Sequence, residues 1–247
     1  MVADLGNSRL KWGVVTGFGR VELTRALPLD ALSAWDSAWA ECGLDPASTW
    51  LVASVNPPAA SRFEAWLDGR GVGRDAVRVL RSAADAAVPS RLEHPNATGV
   101  DRALAVRSAC ARRAAGRAAV VVMCGTAITV ELIDETGVWQ GGAIAPGLIS
   151  MARGLVESTA QLPLASCDEV PEALGRATRE ALAAGVFWSA VGAIRELVGR
   201  QTRGLAHPPS IFLSGGDASR LAPWLDLKDA VVAPDLVLEG LSTLLLL

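Results

Sequence analysis

Two stretches of this sequence follow one pattern, Ala3-Asp4-Leu5-Gly6-Asn7-Ser8-Arg9-Leu10-Lys11-Trp12 and Met123-Cys124-Gly125-Thr126-Ala127-Ile128-Thr129-Val130-Glu131. Each reads as a buried apolar strand, then a Gly followed by a small polar residue, then a second strand. A Gly at such a turn lets the backbone approach a ligand closely and point N–H groups at it. The two turns could therefore hold the phosphates of one nucleotide from both sides. They differ at one place, because Asp4 precedes the first Gly while Met123 holds the matching position in the second stretch.

The composition is that of a globular protein. Of its 247 residues, 51% are hydrophobic and 20% are charged, which is enough to bury a sizeable core. The net charge of −3 gives no general reason to bind nucleic acid or an anionic membrane. The start of the chain lacks a signal-peptide pattern, and the apolar end, Leu244–Leu247, is too short to span a bilayer. The cysteines form no CxxC pair and predict reduced thiols in a cytoplasmic protein; they are Cys42, Cys110, Cys124 and Cys167.

Each Gly turn opens a three-strand meander, and this internal repeat predicts two related α/β halves, residues 1–115 and 116–247. The predicted strands are Val2–Leu5, Leu10–Val15, Val21–Leu23, Trp50–Val55, Ala76–Leu80, Val120–Met123, Ile128–Ile133, Val138–Ala145 and Ser210–Leu213. The predicted helices are Leu29–Glu41, Ala59–Gly69, Gly99–Arg113, Pro146–Ser158, Pro171–Gln201 and Leu236–Leu247.

Two residues of the first stretch have side chains suited to a nucleotide site. Asp4 could hold a hydrated Mg²⁺, since that ion keeps waters and takes few carboxylates, but a turn-capping role is the alternative. Lys11 is one of only two lysines, and it is either a phosphate-directed ammonium or a solvated strand residue. A third Gly turn, Gly215-Gly216, lies between a strand and a helix and strengthens the interpretation as a nucleotide site.

Asp101 lies at the start of a predicted helix, directly before Arg102. Phosphoryl transfer needs positioned phosphates, a divalent metal and a base for the attacking hydroxyl. Asp101 could be that base, with Arg102 beside it for an anionic substrate. The alternative is an ordinary first-turn Asp that the helix dipole stabilises, and the physics of the position alone favours this alternative.

Seven motifs of this sequence occur in the order and spacing of type III pantothenate kinases. They are Asp4-x-Gly6-Asn7-Ser8, Gly99-x-Asp101-Arg102, Gly125-Thr126-Ala127-x-Thr129, Gly141-Gly142-Ala143-Ile144-Ala145-Pro146-Gly147, Ser158-Thr159-Ala160-x-Leu162-Pro163, Leu174-Gly175-Arg176-x-Thr178 and Ser214-Gly215-Gly216-Asp217. The chain resembles that family over nearly its whole length, and seven motifs in register are strongly specific. The run that follows Asn7 resembles the shorter members, also called Bvg accessory factors.

The resemblance implies an α/β fold of the acetate and sugar kinase/Hsp70/actin type, with two ribonuclease H-like halves around a cleft. It also implies a homodimer whose pantothenate pocket lies at the interface, Mg²⁺ with ATP, and a monovalent cation such as K⁺ or NH₄⁺. The residues that it implies for the ATP phosphates are Asp4, Gly6, Asn7, Ser8, Gly125, Thr126 and Ala127. Those that it implies for the adenosine are Gly215 and Gly216. Those that it implies for pantothenate are Gly99, Asp101, Arg102 and Thr159, with Asp101 as the base.

Four positions depart from the family pattern. Met123 stands where an Asp is usual in the cation and phosphate region, and a thioether does not replace a hard oxygen ligand. On the substrate side, Leu92 replaces a usual Tyr and Thr98 a usual Leu. Glu131 stands where an Asp is common, which keeps the charge.

The motifs together predict ATP-dependent phosphorylation of pantothenate to 4′-phosphopantothenate, the first step of coenzyme A synthesis. Two alternatives stay open. Met123 favours a catalytically impaired homologue that binds nucleotide or pantothenate and acts in regulation. Leu92 and Thr98 favour a kinase of another small hydroxy acid. Turnover with ATP and a panel of hydroxy acids separates the three.

Overall fold

The computed structural model describes residues 1–245, apart from the side chain of Phe18, and divides into two compact units. Unit 1 comprises Met1–Arg112 together with the segment that begins at Asp235, and unit 2 comprises Arg113–Pro234. The division after residue 112 lies close to the predicted one after residue 115. The segment from Asp235 onward is grouped with the first unit, whereas we predicted it in the second half.

Both units are built from mixed sheets and helices. The strands are β1 (Val2–Leu5), β2 (Arg9–Thr16), β3 (Arg20–Pro28), β4 (Trp50–Ser54), β5 (Val77–Leu80), β6 (Ala119–Cys124), β7 (Ala127–Ile133), β8 (Trp139–Pro146), β9 (Ser210–Ser214) and β10 (Val231–Val232). The helices are α1 (Leu32–Glu41), α2 (Pro57–Asp68), α3 (Val100–Arg112), α4 (Leu148–Ser158), α5 (Thr178–Gln201), α6 (Ala218–Leu221) and α7 (Leu236–Leu244).

The two sheets share one topology. Their strand orders are β3-β2-β1-β4-β5 and β8-β7-β6-β9-β10. In each sheet the central strand, β1 or β6, pairs antiparallel with the strand after it and parallel with β4 or β9. This match confirms the predicted repeat of a three-strand meander that starts at each Gly turn.

In unit 1 different helices pack on the two faces of the sheet. Alternate side chains of a strand point to opposite faces. Ala3 and Leu5 of β1 join an aromatic core with Trp12, Trp50 and residues of α1 and α2. Asp4 therefore lies on the other face, where α7 packs against β1, β2 and β4, and α3 packs against α7 and β4. The alternation of side chains along β1 thus directs the Asp4 carboxylate to the face that α7 and α3 cover.

In unit 2 the residues Val120, Val122 and Cys124 of β6 pack with α4 and α5 in one apolar core. Met123 points to the opposite face. By length and composition α5 could cross a membrane, with a mean hydropathy of 1.4 in its most apolar window. Its residues Val186 to Val198 supply much of this core, and 39% of its most apolar window is buried. Among the described residues, which include all four cysteines, no disulfide is formed.

Some predicted boundaries were wrong. The helix predicted from Pro171 begins at Thr178, because the backbone N–H groups of Arg176 and Ala177 donate to the Glu180 carboxylate and cap the helix there. The strand predicted over Val21–Leu23 extends over Arg20–Pro28 as the partner of β2. The predicted continuation of α7 over residues 246 and 247 lies outside the described residues.

Candidate active site

Asp4 has a buried oxygen that no described group of the protein satisfies. It lies in the middle of the sheet of unit 1, paired with Lys11 of β2 and Ala53 of β4. Its Oδ1 is buried and accepts no hydrogen bond from any described residue. A buried acceptor without a donor is costly, and most such groups in native proteins have a partner. Oδ1 thus caps no turn, and it is an open acceptor for a cation or a ligand donor.

The charge on Asp4 is strongly affected by its surroundings. Burial, and after it the negative charge of Asp101, raise the pKa of the Asp4 carboxyl from its ordinary value of 3.8 to about 7, while Lys11 acts in the opposite direction. Asp4, Lys11 and Asp101 are therefore within electrostatic reach of one another. A second carboxylate beside a buried one is a common feature of functional sites.

Asp101 is held in the first turn of α3, with its carboxylate folded back over Gly99. Its Oδ1 accepts a hydrogen bond from the backbone N–H of Arg102 at 2.8 Å. A Cβ at Gly99 would lie 2.6 Å from this Oδ1 and 3.4 Å from a methyl carbon of Val55. Position 99 therefore has no room for a side chain beside the carboxylate, which explains the spacing of the Gly-x-Asp-Arg motif. The helix dipole stabilises the negative charge of Asp101.

The space beside the Cα atoms of Gly6 and Gly125, in the first two Gly turns, is not filled by other described atoms. The N–H of Gly6 donates to the carbonyl of Arg9 at 3.1 Å, and that of Gly125 to the carbonyl of Ala127 at 3.0 Å. The nearest described atom to a Cβ at Gly6 would lie at 3.7 Å, and at Gly125 at 3.9 Å, which are ordinary contacts. Neither has a left-handed φ. Within the described residues, nothing demands Gly at these turns, so a closely approaching ligand is the remaining reason.

The third Gly turn packs against the second. Gly215 has a φ of +96°, and a Cβ there would lie 2.6 Å from the carbonyl carbon of Cys124. The N–H of Asp217 donates to the Cys124 carbonyl at 3.0 Å. Gly216, in contrast, has no described atom within 4 Å of where its Cβ would lie. Gly215 is therefore required by packing, and Gly216 leaves open space beside the end of β6.

Two residues that the sequence analysis did not place in the site support the second turn. The carbonyl of Thr126 accepts from the N–H of Gly147 at 3.0 Å and from the Ser150 hydroxyl at 2.7 Å. Both lie at the start of α4, and the Pro-Gly pair that begins this helix was the only signal in the sequence. The ends of β6 and β9 and the start of α4 thus converge on one turn.

The predicted site residues fall into two groups. Unit 1 contains Asp4, Gly6, Asn7, Ser8, Lys11, Gly99, Asp101 and Arg102. Unit 2 contains Gly125, Thr126, Ala127, Thr159, Gly215 and Gly216. Thr159 is exposed at the end of α4, where its hydroxyl donates to the Leu155 carbonyl at 2.7 Å.

Met123 occupies in the second sheet the place that Asp4 has in the first. It lies two residues before the Gly and pairs with Thr129 and Ser214. Glu131, on the same face, is fully buried and accepts a hydrogen bond from Trp139 Nε1 at 3.0 Å. Asp134 follows the far end of β7, five residues from Thr129 and so roughly 16 Å along the strand. Asp134 is too remote to replace the missing carboxylate, and Glu131 is held by the indole.

Metal-ligand clusters are not part of this arrangement. In residues 1–245 there is no group of three or more His, Cys, Asp or Glu side chains that could hold a metal ion. Mg²⁺ does not need such a cage, because it binds through one or two carboxylates, waters and substrate phosphates. The open Oδ1 of Asp4 is a hard oxygen of the kind that this ion prefers.

Solved structures with a similar fold include sugar-acid kinases. The structure of a conserved putative Baf family transcriptional activator from Campylobacter jejuni matches with a TM-score of 0.63 and 18% identity, over 99% of this chain and 96% of that one. A putative 2-dehydro-3-deoxygalactonokinase from Sinorhizobium meliloti matches with a TM-score of 0.56 and 16% identity, over 98% and 96%. At these identities the likeness concerns the fold alone. It confirms the acetate and sugar kinase/Hsp70/actin type.

The sequence comparisons are more specific. A type III pantothenate kinase of Alkalilimnicola ehrlichii is 36% identical over 250 residues, covering 99% of this chain and 96% of that protein. One from Aromatoleum aromaticum is 35% identical over 245 residues, covering 98% and 96%. The profile of the type III pantothenate kinase family matches residues 1–200, which contain the first two Gly turns and the Gly-x-Asp-Arg motif. The chain therefore belongs to the type III pantothenate kinases.

Proposed function

We propose that this protein transfers the γ-phosphoryl group of ATP to the 4′-hydroxyl of pantothenate, giving ADP and 4′-phosphopantothenate, the first step of coenzyme A synthesis. Family membership supports the reaction, and the observation that carries it is the open Oδ1 of Asp4 beside Asp101. The test is ADP formation from ATP with pantothenate and with a panel of other hydroxy acids. Turnover restricted to another hydroxy acid, or absent with all of them, would contradict the proposal.

Asp101 is the proposed base. The pantothenate hydroxyl oxygen forms a bond to the γ-phosphorus, the bond from that phosphorus to the bridging oxygen of ADP breaks, and Asp101 takes the hydroxyl proton. Arg102 follows directly on α3 and is half-buried. Its guanidinium is suited to the carboxylate of pantothenate. Gly99 and Thr159 complete the proposed pantothenate contacts.

The Gly turns form the proposed ATP-binding site. Backbone N–H groups of the two turns bind the phosphates, and the open space beside Gly6 and Gly125 supports a close approach. Lys11 adds a positive charge beside the first turn. The full set proposed for ATP is Asp4, Gly6, Asn7, Ser8, Lys11, Gly125, Thr126, Ala127, Gly215 and Gly216.

Asp4 would hold Mg²⁺ together with the phosphates. Its buried Oδ1, which lacks a donor among the described residues, fits a hard divalent cation. Bound there, the ion neutralises charge on the triphosphate.

Replacing Gly125 by Val should abolish ATP binding while the protein still folds. The added Cβ meets no described atom closer than 3.9 Å, so the fold can accept it, but it fills the space that the phosphates need. Calorimetric titration with Mg-ATP measures the affinity, and thermal unfolding checks the fold. Gly73→Val is the control. A Cβ at this position likewise meets no described atom within 4 Å, and Gly73 belongs to none of the three Gly turns. Unchanged ATP affinity in Gly125→Val would contradict the phosphate role.

The monovalent cation is proposed to have little effect in this protein, because Met123 offers no oxygen ligand where the family has a carboxylate. Met123→Asp should raise turnover or make it depend on K⁺. Turnover of both proteins with and without K⁺, at fixed Mg²⁺ and ATP, measures this. Met123→Leu should behave like the wild type. Strong K⁺ activation of the wild type would show that the cation site does not need this residue.

A homodimer is the proposed assembly, and an exposed apolar surface supports it. The apolar side chains of α4 and the segment after it are unusually exposed, with Leu164 at 49% and Leu174 at 78%. Large apolar side chains that are exposed close together in the sequence are consistent with an interaction surface. Light scattering should give a mass about twice 25.7 kDa, and the double variant Leu164→Glu/Leu174→Glu should be shifted toward the monomer. A monomeric wild type would refute this assembly.

We also propose a cytoplasmic location without nucleic-acid or membrane partners. The four cysteines, all among the described residues, form no disulfide, as expected in a reducing compartment. The net charge of −3 gives no general attraction to nucleic acid or anionic lipid. Fractionation of cells that produce the protein tests the location.

A further inference from the structure

The carboxylates of Asp4 and Asp101 are carried by different elements of unit 1, and α7 contacts both of those elements. Asp4 is on β1, in the middle of the sheet, and Asp101 is on the first turn of α3. On the Asp4 face, α7 packs against β1 and β2, and α3 packs against α7. Because α3 also packs on β4 beside α7, the place of α3 on this face of the sheet depends on how closely it approaches α7.

One glycine sets that approach. A Cβ at Gly240 of α7 would lie 2.7 Å from the carbonyl carbon of Leu104 and 3.0 Å from its Cα, and still closer to its carbonyl oxygen. Leu104 lies three residues after Asp101, about one turn along α3. These are backbone atoms, so a side chain at position 240 fits only if α3 and α7 move apart.

Polar contacts hold the two helices together beyond this point. Glu239 Oε2 accepts from the Ser108 hydroxyl and from Arg112 Nη1, both at 2.9 Å. Arg107 Nε donates to the Thr243 hydroxyl at 2.5 Å. The helix pair is therefore tied along two turns of α3, and the contact at Gly240 lies nearest to Asp101.

The structure assigns to Gly240 a positioning role: the close contact that it permits between α7 and α3 holds the Asp101 carboxylate at its place beside Asp4. This role rests on the proposed function of Asp101 as the base. A side chain at position 240 widens the spacing of the two helices and so shifts the start of α3 relative to β1, and misplacement of a reacting group by about 1 Å can cost roughly 10²-fold in rate.

The test is a double-mutant cycle. Gly240→Ala should lower kcat by roughly 10-fold or more with less than about a twofold change in the KM for ATP, because the phosphate turns lie on other elements. In the Asp101→Asn background the same change should alter kcat by less than about twofold, since the group that it misplaces is gone. Gly199→Ala, in α5, is the control: a Cβ there has no described atom within 4 Å, and kcat should stay at the wild-type value.

The possible outcomes are distinguishable. An equal fold loss in both backgrounds would mean a general structural effect and would overturn the positioning role, as would an unchanged kcat in folded Gly240→Ala. Near-normal turnover of Asp101→Asn alone would instead refute the base assignment. If Gly240→Ala does not fold, Glu239→Gln weakens the same helix contact without added volume. It should lower kcat several-fold in the Asp101 protein only, and the same loss in both backgrounds would again overturn the role.

Discussion

Asp101→Asn should lower kcat for pantothenate phosphorylation by on the order of 10²-fold or more, with little change in ATP affinity. The substitution keeps the size of the side chain and its place over Gly99. It removes the carboxylate that would take the hydroxyl proton, and it leaves the Gly turns unchanged. Steady-state kinetics with varied pantothenate and calorimetry with Mg-ATP measure the two quantities separately.

The control for this variant is Asp68→Asn, which changes an exposed carboxylate on α2 of the same unit. It should leave kcat unchanged. Near-normal turnover of Asp101→Asn would show that Asp101 is an ordinary first-turn Asp stabilised by the helix dipole, the alternative that the physics of the position alone favours.

Asp4→Asn should have two opposite effects, with catalysis lost and the ligand-free protein made more stable at alkaline pH. Catalysis falls because an amide is a much weaker ligand for a divalent cation than a carboxylate. Stability rises because burial and Asp101 raise the pKa of the Asp4 carboxyl from 3.8 to about 7, so the buried charge opposes folding above that pH. A pKa difference of this size corresponds to an upper limit of roughly 4 kcal/mol in the free energy of unfolding.

The sign follows from proton binding. Between pH 4 and pH 7 the folded protein holds a proton on Asp4 that the unfolded chain has lost, so this group's contribution to stability falls as the pH rises. Urea unfolding at pH 5 and pH 8.5, without Mg²⁺ and nucleotide, measures the free energy of unfolding of both proteins. The value for Asp4→Asn should exceed that of the wild type by more at pH 8.5 than at pH 5. If Asp4→Asn is less stable than the wild type at pH 8.5, the Asp4 carboxylate caps a turn instead.

Asp85→Asn is a matched control with the opposite sign. The backbone N–H of Arg81, followed by groups of Ser82, lowers the pKa of the Asp85 carboxyl. Its contribution to stability is present above the ordinary pKa and is lost as the pH falls through the lowered value. Asp85→Asn should therefore be less stable than the wild type at pH 8.5 and closer to it in acid.

The sequence by itself determined the strand pattern and the identity of the site motifs. Short apolar runs with a Gly after them, as at β1 and β6, are local signals, because a strand buried on both faces is apolar along its length and a ligand turn needs a small residue. They were sufficient for both meanders, for the two Gly turns and, through seven motifs in register, for the family. They also identified Met123 as the departure from the repeat.

Only the tertiary structure decided which of these residues act together. The buried, unpartnered oxygen of Asp4 and the nearness of Asp101 depend on β1 and α3, which are about 95 residues apart in sequence. The grouping of α7 with unit 1 and its backbone contact with α3 at Gly240 depend on a still longer separation. Local propensity and periodicity do not encode such contacts, because burial and the electrostatic environment of a carboxylate are set by the elements that pack over it.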